Sequence, residues 1–167
     1  MILKITKLPS QILRKPNPDI TFPLNKELRT LLVNMLATVK KVDGIGLAAP
    51  QVARNLNLAI IYLEHAGVPP FAIINPKILS SSKEKVSIEE GCLSIPGVFG
   101  EVIRPKRITF EFQDLEGTKH KLSDNGWIAR VVQHEIDHLH QILISDKMTK
   151  ITQGQELLHE YGITYNN

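Results

Sequence analysis

A chain of 167 residues, 43% apolar and 22% charged, has the composition of a folded globular protein and enough length for one core. Its 20 basic and 17 acidic residues leave a formal charge of +3, and the cations are scattered: Lys40-Lys41 and Lys83 with Lys85 are the nearest things to clusters, which argues against stable nucleic-acid binding. The single cysteine, Cys92, excludes an internal disulfide, and no apolar run approaches the ~20 residues of a membrane span.

The lone cysteine suits a reducing compartment, and the N-terminus, soon interrupted by Pro9 and Arg14-Lys15-Pro16, lacks the apolar stretch of a signal peptide. The expectation is one domain over residues 1–167, without membrane contact. A cytoplasmic location of bacterial type is expected, and an organellar origin is also compatible.

Residues 1–23 carry Pro9, Pro16, Pro18 and Pro23 and read as an extended arm. Residues 25–42 read as an amphipathic helix. Asn25 is suited to cap it, Leu28, Leu31, Leu32, Met35, Leu36 and Val39 recur at helical spacing, and Asp43-Gly44 stops it. Short β-rich runs follow. Leu58–Leu63 and Phe71–Ile74 read as strands paired around the turn Gly67-Val68-Pro69-Pro70. Lys77–Ser81, Lys85–Ile88 and Ile108–Phe112 continue the pattern, and Asp114-Leu115-Glu116-Gly117 turns a hairpin into Lys119–Leu122. A second long helix is predicted from about Gly126 to Leu143, and a short third one from about Thr152 to Tyr161, ended by Gly162. The fold class is α+β: mixed or antiparallel short strands packed around a central helix, with a short helix near the C-terminus.

The strongest chemical signal lies on that central helix, in His134-Glu135-Ile136-Asp137-His138. Histidines at i and i+4 stand one turn apart on one face, so both rings can reach one ion, with the glutamate beside them. On a helical wheel with Trp127 at zero, both histidines fall within ~20° of it, at the seam between an apolar arc and a polar one. The polar arc carries Arg130, Gln133, Asp137 and Gln141. Glu135 falls at ~80°, inside the apolar arc, where a carboxylate without a partner would cost several kcal/mol. It therefore needs a cavity, a cation or a role. On this motif alone, a buried helix with two hydrogen-bonded histidines stays open as the alternative.

Two further segments stand out. Cys92 sits in Glu89-Glu90-Gly91-Cys92-Leu93-Ser94-Ile95-Pro96, where glycine and proline shape a loop. Taken by itself, Cys92 reads as a small buried apolar residue. In Asp43-Gly44-Ile45-Gly46-Leu47-Ala48-Ala49-Pro50-Gln51, Gly44 and Gly46 permit backbone shapes that other residues resist, and small residues let a ligand approach the main chain. The spacing fits neither a phosphate loop nor a dinucleotide fingerprint. A helix end leading into a strand is the plain reading.

Together, Gly44-Ile45-Gly46-Leu47-Ala48-Ala49-Pro50-Gln51, Glu90-Gly91-Cys92-Leu93-Ser94 and Gln133-His134-Glu135-Ile136-Asp137-His138 resemble, in that order, the three motifs of the peptide deformylases. Their spacing is similar to that of the compact type-I class. The resemblance implies a metal-dependent hydrolase that removes the N-formyl group from the starting methionine of nascent polypeptides and releases formate. It makes Cys92, His134 and His138 the ligands of one divalent ion, Fe²⁺ in the cell, with Zn²⁺, Ni²⁺ or Co²⁺ able to take its place. It makes Glu135 the general base and acid, and gives the oxyanion hole to the Gln51 amide and the Leu93 backbone N–H. Gly44, Ile45 and Gly46 would line the bound peptide. Phe99, Trp127 and Val131, with Ile45, would receive the methionine side chain. Glu90 and Arg104 would form a buried pair behind the metal ligands.

Two positions depart from the family pattern. Gln141 stands where the family usually has glycine after the second histidine, so a left-handed backbone there would cost about 1–2 kcal/mol. Phe99 stands where many type-I members carry arginine. The rival readings are a deformylase-like metal-binding protein with weakened turnover and a zincin-type peptidase. Lys147 and Lys150, the only Lys/Arg residues near the tail, allow at most weak ribosome contact.

Overall fold

The computed structural model describes residues 1–165. Helix α1, Lys26–Lys41, starts as the sequence implies: the Asn25 side chain accepts the Leu28 N–H at 2.9 Å. It ends with Asp43 in the left-handed region (φ 55°), while the Gly44 N–H reaches back to the Val39 carbonyl at 2.9 Å.

Five strands form one antiparallel sheet: β1 (Gly46–Ala48), β2 (Leu58–Leu63), β3 (Val68–Ser81), β6 (Ile108–Gln113) and β7 (Lys119–Asp124), in the order β1-β2-β3-β6-β7. A second antiparallel sheet, in the order β4-β5-β8, is built from β4 (Lys85–Gly91), β5 (Phe99–Pro105) and β8 (Met148–Gln153). Helix α2, Trp127–Leu139, lies between the two. Strand β2 is buried on both faces, which explains its unbroken apolar sequence. Leu58 and Ile60 pack toward α1 with Met35 and Val39; Ala59 and Ile61 pack toward α2 with Val132 and Ile136. The α+β class with a central helix is what the sequence implied.

Several boundaries differ. The runs Phe71–Ile74 and Lys77–Ser81 are one strand, β3, because Asn75 turns left-handed (φ 50°) and its side chain binds the Ile20 backbone and Gln113, so the chain bulges instead of breaking. The expected turn at Gly67–Pro70 is earlier: a 3₁₀ turn over Glu64–Ala66 closes at Gly67 (φ 75°), and Val68-Pro69-Pro70 already belong to β3. Strands β5 and β8 were not expected: β5 alternates in burial, but Gly100 and Arg104 share its buried side with Val102, and β8 has no alternation. Helix α2 stops at Leu139 rather than near Leu143, and the short C-terminal helix is only a 3₁₀ turn, Gln155–Leu157, followed by turns, because the chain through Gln153 belongs to β8 and Gln153 pairs with Phe99 of β5 instead.

Candidate metal centre

Helix α2 begins where the Asp124 carboxylate accepts the Gly126 and Ala129 N–H groups at 2.8 and 2.7 Å. That start points Val131, Glu135 and Ile136 inward and sets His134 and His138 one turn apart, their ring centres separated by 5.0 Å. The helix is buried nearly all round, which the wheel did not foretell. Arg130 and Gln133, on the supposed polar arc, are buried because the second sheet covers them. Gln133 donates to the Pro105 carbonyl, and Arg130 donates to the carbonyls of Ile88 and Val102.

The third component arrives from the loop after β4. Cys92 Sγ lies 3.2 Å from His138 Nε2, and one ligand atom from each of Cys92, His134 and His138 falls within 4.8 Å of the others. The Ser94 N–H and the Gln51 side-chain amide both approach the sulfur at 3.5 Å. Gln51 sits in a 3₁₀ turn after β1. Its Oε1 accepts the Ala48 N–H at 2.9 Å, so its Nε2 is turned toward Cys92 and Ser94 Oγ.

Behind the histidines runs a buried ionic network. Arg104, on β5 and 2% exposed, grips both oxygens of Glu90 at 2.7 and 2.9 Å and donates to Asp137 at 2.5 Å. Glu90 in turn accepts from His134 Nδ1 at 2.9 Å, which leaves the other ring nitrogen for the sulfur side. Lys147 holds Asp137 from its far side at 2.8 Å. Arg130 Nε stands 2.8 Å from Glu90 Oε1, but its N–H is not aimed there, so this is an ionic contact without a hydrogen bond.

These surroundings set the charges. Burial alone would raise the Glu90 carboxyl, but hydrogen bonds from Arg104 and His134 hold it at about 2. Burial likewise opposes ionisation of Cys92, and the adjoining rings of His138 and His134 overcome it, holding the thiol well below its usual value. His134 is desolvated too, yet Cys92 and Glu90 raise it well above an ordinary histidine. Glu135 shifts the other way: burial pushes its carboxyl up, and the nearby His134 and His138 only partly offset this.

One thiolate and two imidazoles form a donor set suited to several divalent first-row ions. The fit is supported by what is left unspent: Glu135 Oε2 is buried with no hydrogen-bond partner among the described residues. Gly46 makes the space for that carboxylate, since a Cβ there would overlap the Glu135 side chain and Val131. Neither Gly44 nor Gly46 has a positive φ, so closeness rather than unusual backbone shape explains both glycines.

The cluster opens on a cavity of about 520 Å³. Its walls include Gly44, Ile45, Gly46, Gln51, Glu90, Cys92, Leu93, Phe99, Trp127, Val131, His134 and Glu135, so most of the residues singled out in the sequence converge here. His138 and Arg104 are not among the lining residues; both are buried, at 1% and 2% exposure. Ile45 and Trp127 are exposed, whereas Val131 is buried. Phe99 faces Gly91 across the β4–β5 ladder, where any Cβ on Gly91 would strike its ring.

The family model described as polypeptide deformylase matches residues 2–154. The chain belongs to the peptide deformylase family. A peptide deformylase of Synechococcus sp. (strain CC9605) is 41% identical over 162 residues, covering 96% of this chain and 80% of that protein. The crystal structure of a peptide deformylase from Synechococcus elongatus in complex with actinonin superposes with a TM-score of 0.86 at 37% identity, covering 97% of this chain and 89% of that one. The peptide deformylase of Thermotoga maritima gives 0.84 at 36% identity, covering 89% and 99%. The chain is accordingly an enzyme, a hydrolase with deformylase activity, and its Cys-His-His cluster is the metal site of a metalloenzyme. Among the described residues no helix is long and apolar enough to cross a membrane.

Three participants escaped the sequence reading. Asp137 and Arg130 looked like solvated helix residues, and Ser94, though it closes the second motif, was given no role. Arg130 lies one turn before His134, the one hint that it shares the same wall.

Proposed function

We propose that Cys92, His134 and His138 jointly hold one divalent cation, Fe²⁺ in the cell, and that this chain uses it to remove the formyl group from N-formylmethionyl peptides and nascent chains. The same donor set accepts Zn²⁺, Ni²⁺ or Co²⁺ in purified protein. The ion, when bound, supplies Lewis acidity at the formyl group.

The chain's own residues do the rest. Gly44, Ile45 and Gly46 offer a backbone edge to the peptide, and Phe99, Trp127 and Val131 receive the methionine side chain. Glu135 takes a proton from the attacking water as its oxygen bonds to the formyl carbon. The carbon–nitrogen bond then breaks, Glu135 returns the proton to the departing amine, and formate leaves. A carboxyl raised by burial suits both directions of that transfer. The Gln51 amide and the Leu93 N–H meet the developing oxyanion. Glu90 and Arg104 fix the ring of His134 from behind.

The observation that carries this reading is the buried, unpartnered oxygen of Glu135 beside a sulfur and two imidazoles at a cavity wall. We read residues 1–167 as one catalytic unit working in the cytoplasm, with weak ribosome contact at most.

The test is formate release from formyl-Met-Ala-Ser by protein purified without air, its metal content measured, with casein cleavage followed in parallel. Formate without casein cleavage is expected. A folded, metal-loaded protein that releases none would overturn the reading in favour of a metal-binding relative without turnover, and casein cleavage would favour a zincin-type peptidase.

A further inference from the structure

The sulfur of Cys92 is delivered by a loop, Cys92 to Val98, that has few bonds of its own. The Ile95 N–H reaches the Cys92 carbonyl at 3.0 Å and the Val98 N–H reaches the Ile95 carbonyl at 3.2 Å. Beyond the Gln51 amide at Cys92 and Ser94, what fixes the loop comes from the two ends of the chain. On one side the Leu8 N–H donates to the Ser94 carbonyl at 3.0 Å. On the other, the Tyr161 hydroxyl donates to the Pro96 carbonyl at 2.8 Å.

Below the loop, Ile95 and Val98 are fully buried and cluster with Leu157, Leu158, Tyr161 and Ile163. The approach is tight. A Cβ on Gly97 would meet Leu157, and a Cβ on Gly154 would overlap the Gly97 carbonyl. The Tyr165 hydroxyl, bonded to the Thr149 carbonyl at 2.9 Å, fastens the far end of the tail to β8. The family match stops at residue 154, so these contacts come from a segment beyond it.

We propose that the tail from Gln155 to Tyr165 is a clip that holds the Cys92 loop against the two histidines, with Tyr161 as its positioning residue. A ligand on a loop is only as well placed as the contacts around it. The tail spends its apolar face on this loop, so it is an internal support of the metal site rather than a free arm.

The test uses Tyr161→Phe, which removes only the hydroxyl, and a chain ended after Gly154. Thr109→Val, which deletes a comparable hydrogen bond to Ser123 on the far sheet, is the control. Two rates are read. One is the reaction of Cys92 in metal-free protein with a chromogenic thiol reagent, which reports this loop alone because the chain has 1 cysteine. The other is release of Co²⁺ from the Co²⁺-loaded protein to excess chelator.

Tyr161→Phe is expected to raise both rates by about 3-fold to 10-fold, the shortened chain by more, and Thr109→Val neither. The clip is refuted if folded Tyr161→Phe and shortened proteins stay within about twofold of wild type, or if the control moves as far. Should the shortened chain not fold, Tyr161→Phe and Leu157→Ala decide by the same criteria. The inference takes Cys92 as a ligand. If the protein binds no Co²⁺, that reading fails while the thiol rate still tests the clip.

Discussion

The two halves of the metal centre are held in different ways. The histidines ride on α2, whose own hydrogen bonds, core face and buried ion network over-determine their place. The sulfur rides on a loop that takes its position from neighbours far away in sequence, at Leu8, Gln51 and Tyr161. A helix can carry two ligands because their spacing is local; a third ligand from another direction has to be brought by tertiary packing. The contrast predicts that changes on α2 separate chemistry from stability, whereas changes behind it disturb both.

The largest effect is expected at Glu135. Glu135→Ala should keep one equivalent of metal by elemental analysis yet lose ~10²–10⁴ in kcat, because the carboxylate moves protons and holds nothing. Its metal-free form should unfold at the same urea concentration as wild type or higher, since a buried group without a hydrogen bond is lost. Near-normal turnover would remove Glu135 from the chemistry.

Next comes the network behind the histidines. Arg104→Met leaves Glu90 and Asp137 buried with fewer partners, and breaking such a pair costs ~3–5 kcal/mol. Lys147 and Arg130 remain beside the two carboxylates, so about 3 kcal/mol by urea denaturation is expected. A loss under ~1 kcal/mol would show that the network is not what fixes this wall.

A smaller effect of opposite sign belongs to the helix end. Gln141 does lie in the left-handed region (φ 62°), with the Ile142 N–H returning to the Asp137 carbonyl at 2.8 Å, a helix stop that favours glycine. The strain is partly offset: the Gln141 side chain donates to the Leu139 carbonyl at 2.9 Å, and Arg14 donates to the Gln141 carbonyl at 2.8 Å. Gln141→Gly should therefore stabilise by about 1 kcal/mol, a rise of ~2–4 °C in Tm, with turnover unchanged. A fall in Tm would mean the side-chain bond outweighs the strain.

The smallest effect is set by pH. Asp146 is partly buried, which opposes ionisation, but Arg14 and the Leu143 N–H hold its carboxyl below the usual range. A depressed folded-state value means the stabilisation exists above the unfolded carboxylate value, ~3.9, and fades as pH falls through the folded one. The Tm gap between wild type and Asp146→Asn should be constant above about pH 5 and shrink as pH falls below the unfolded carboxylate value of ~3.9. A gap independent of pH would assign the contact to packing alone.

The helix pattern was legible because its information is periodic: Asn25 caps α1, and His134, Glu135 and His138 take the faces their spacing dictates. The ordered motifs also marked Gln51, Cys92 and the cavity walls before any coordinates. Strands β5 and β8 were not legible, because β5 puts Gly100 and Arg104 at buried positions where an apolar residue would signal a strand, and β8 does not alternate. Arg130 and Gln133 read as solvated because a wheel shows only one helix and cannot show the sheet that covers its polar side.

By itself, then, the amino-acid order determined the donor types, the one-turn spacing of the imidazoles and the need to do something with a carboxylate on an apolar arc, since these follow from backbone geometry within a few residues. Only the tertiary structure decided that a sulfur some forty positions away meets those rings, that Arg104 of the second sheet ties Glu90 to Asp137 on α2, and that both chain ends brace the loop. Those outcomes depend on distances between segments that no local rule contains.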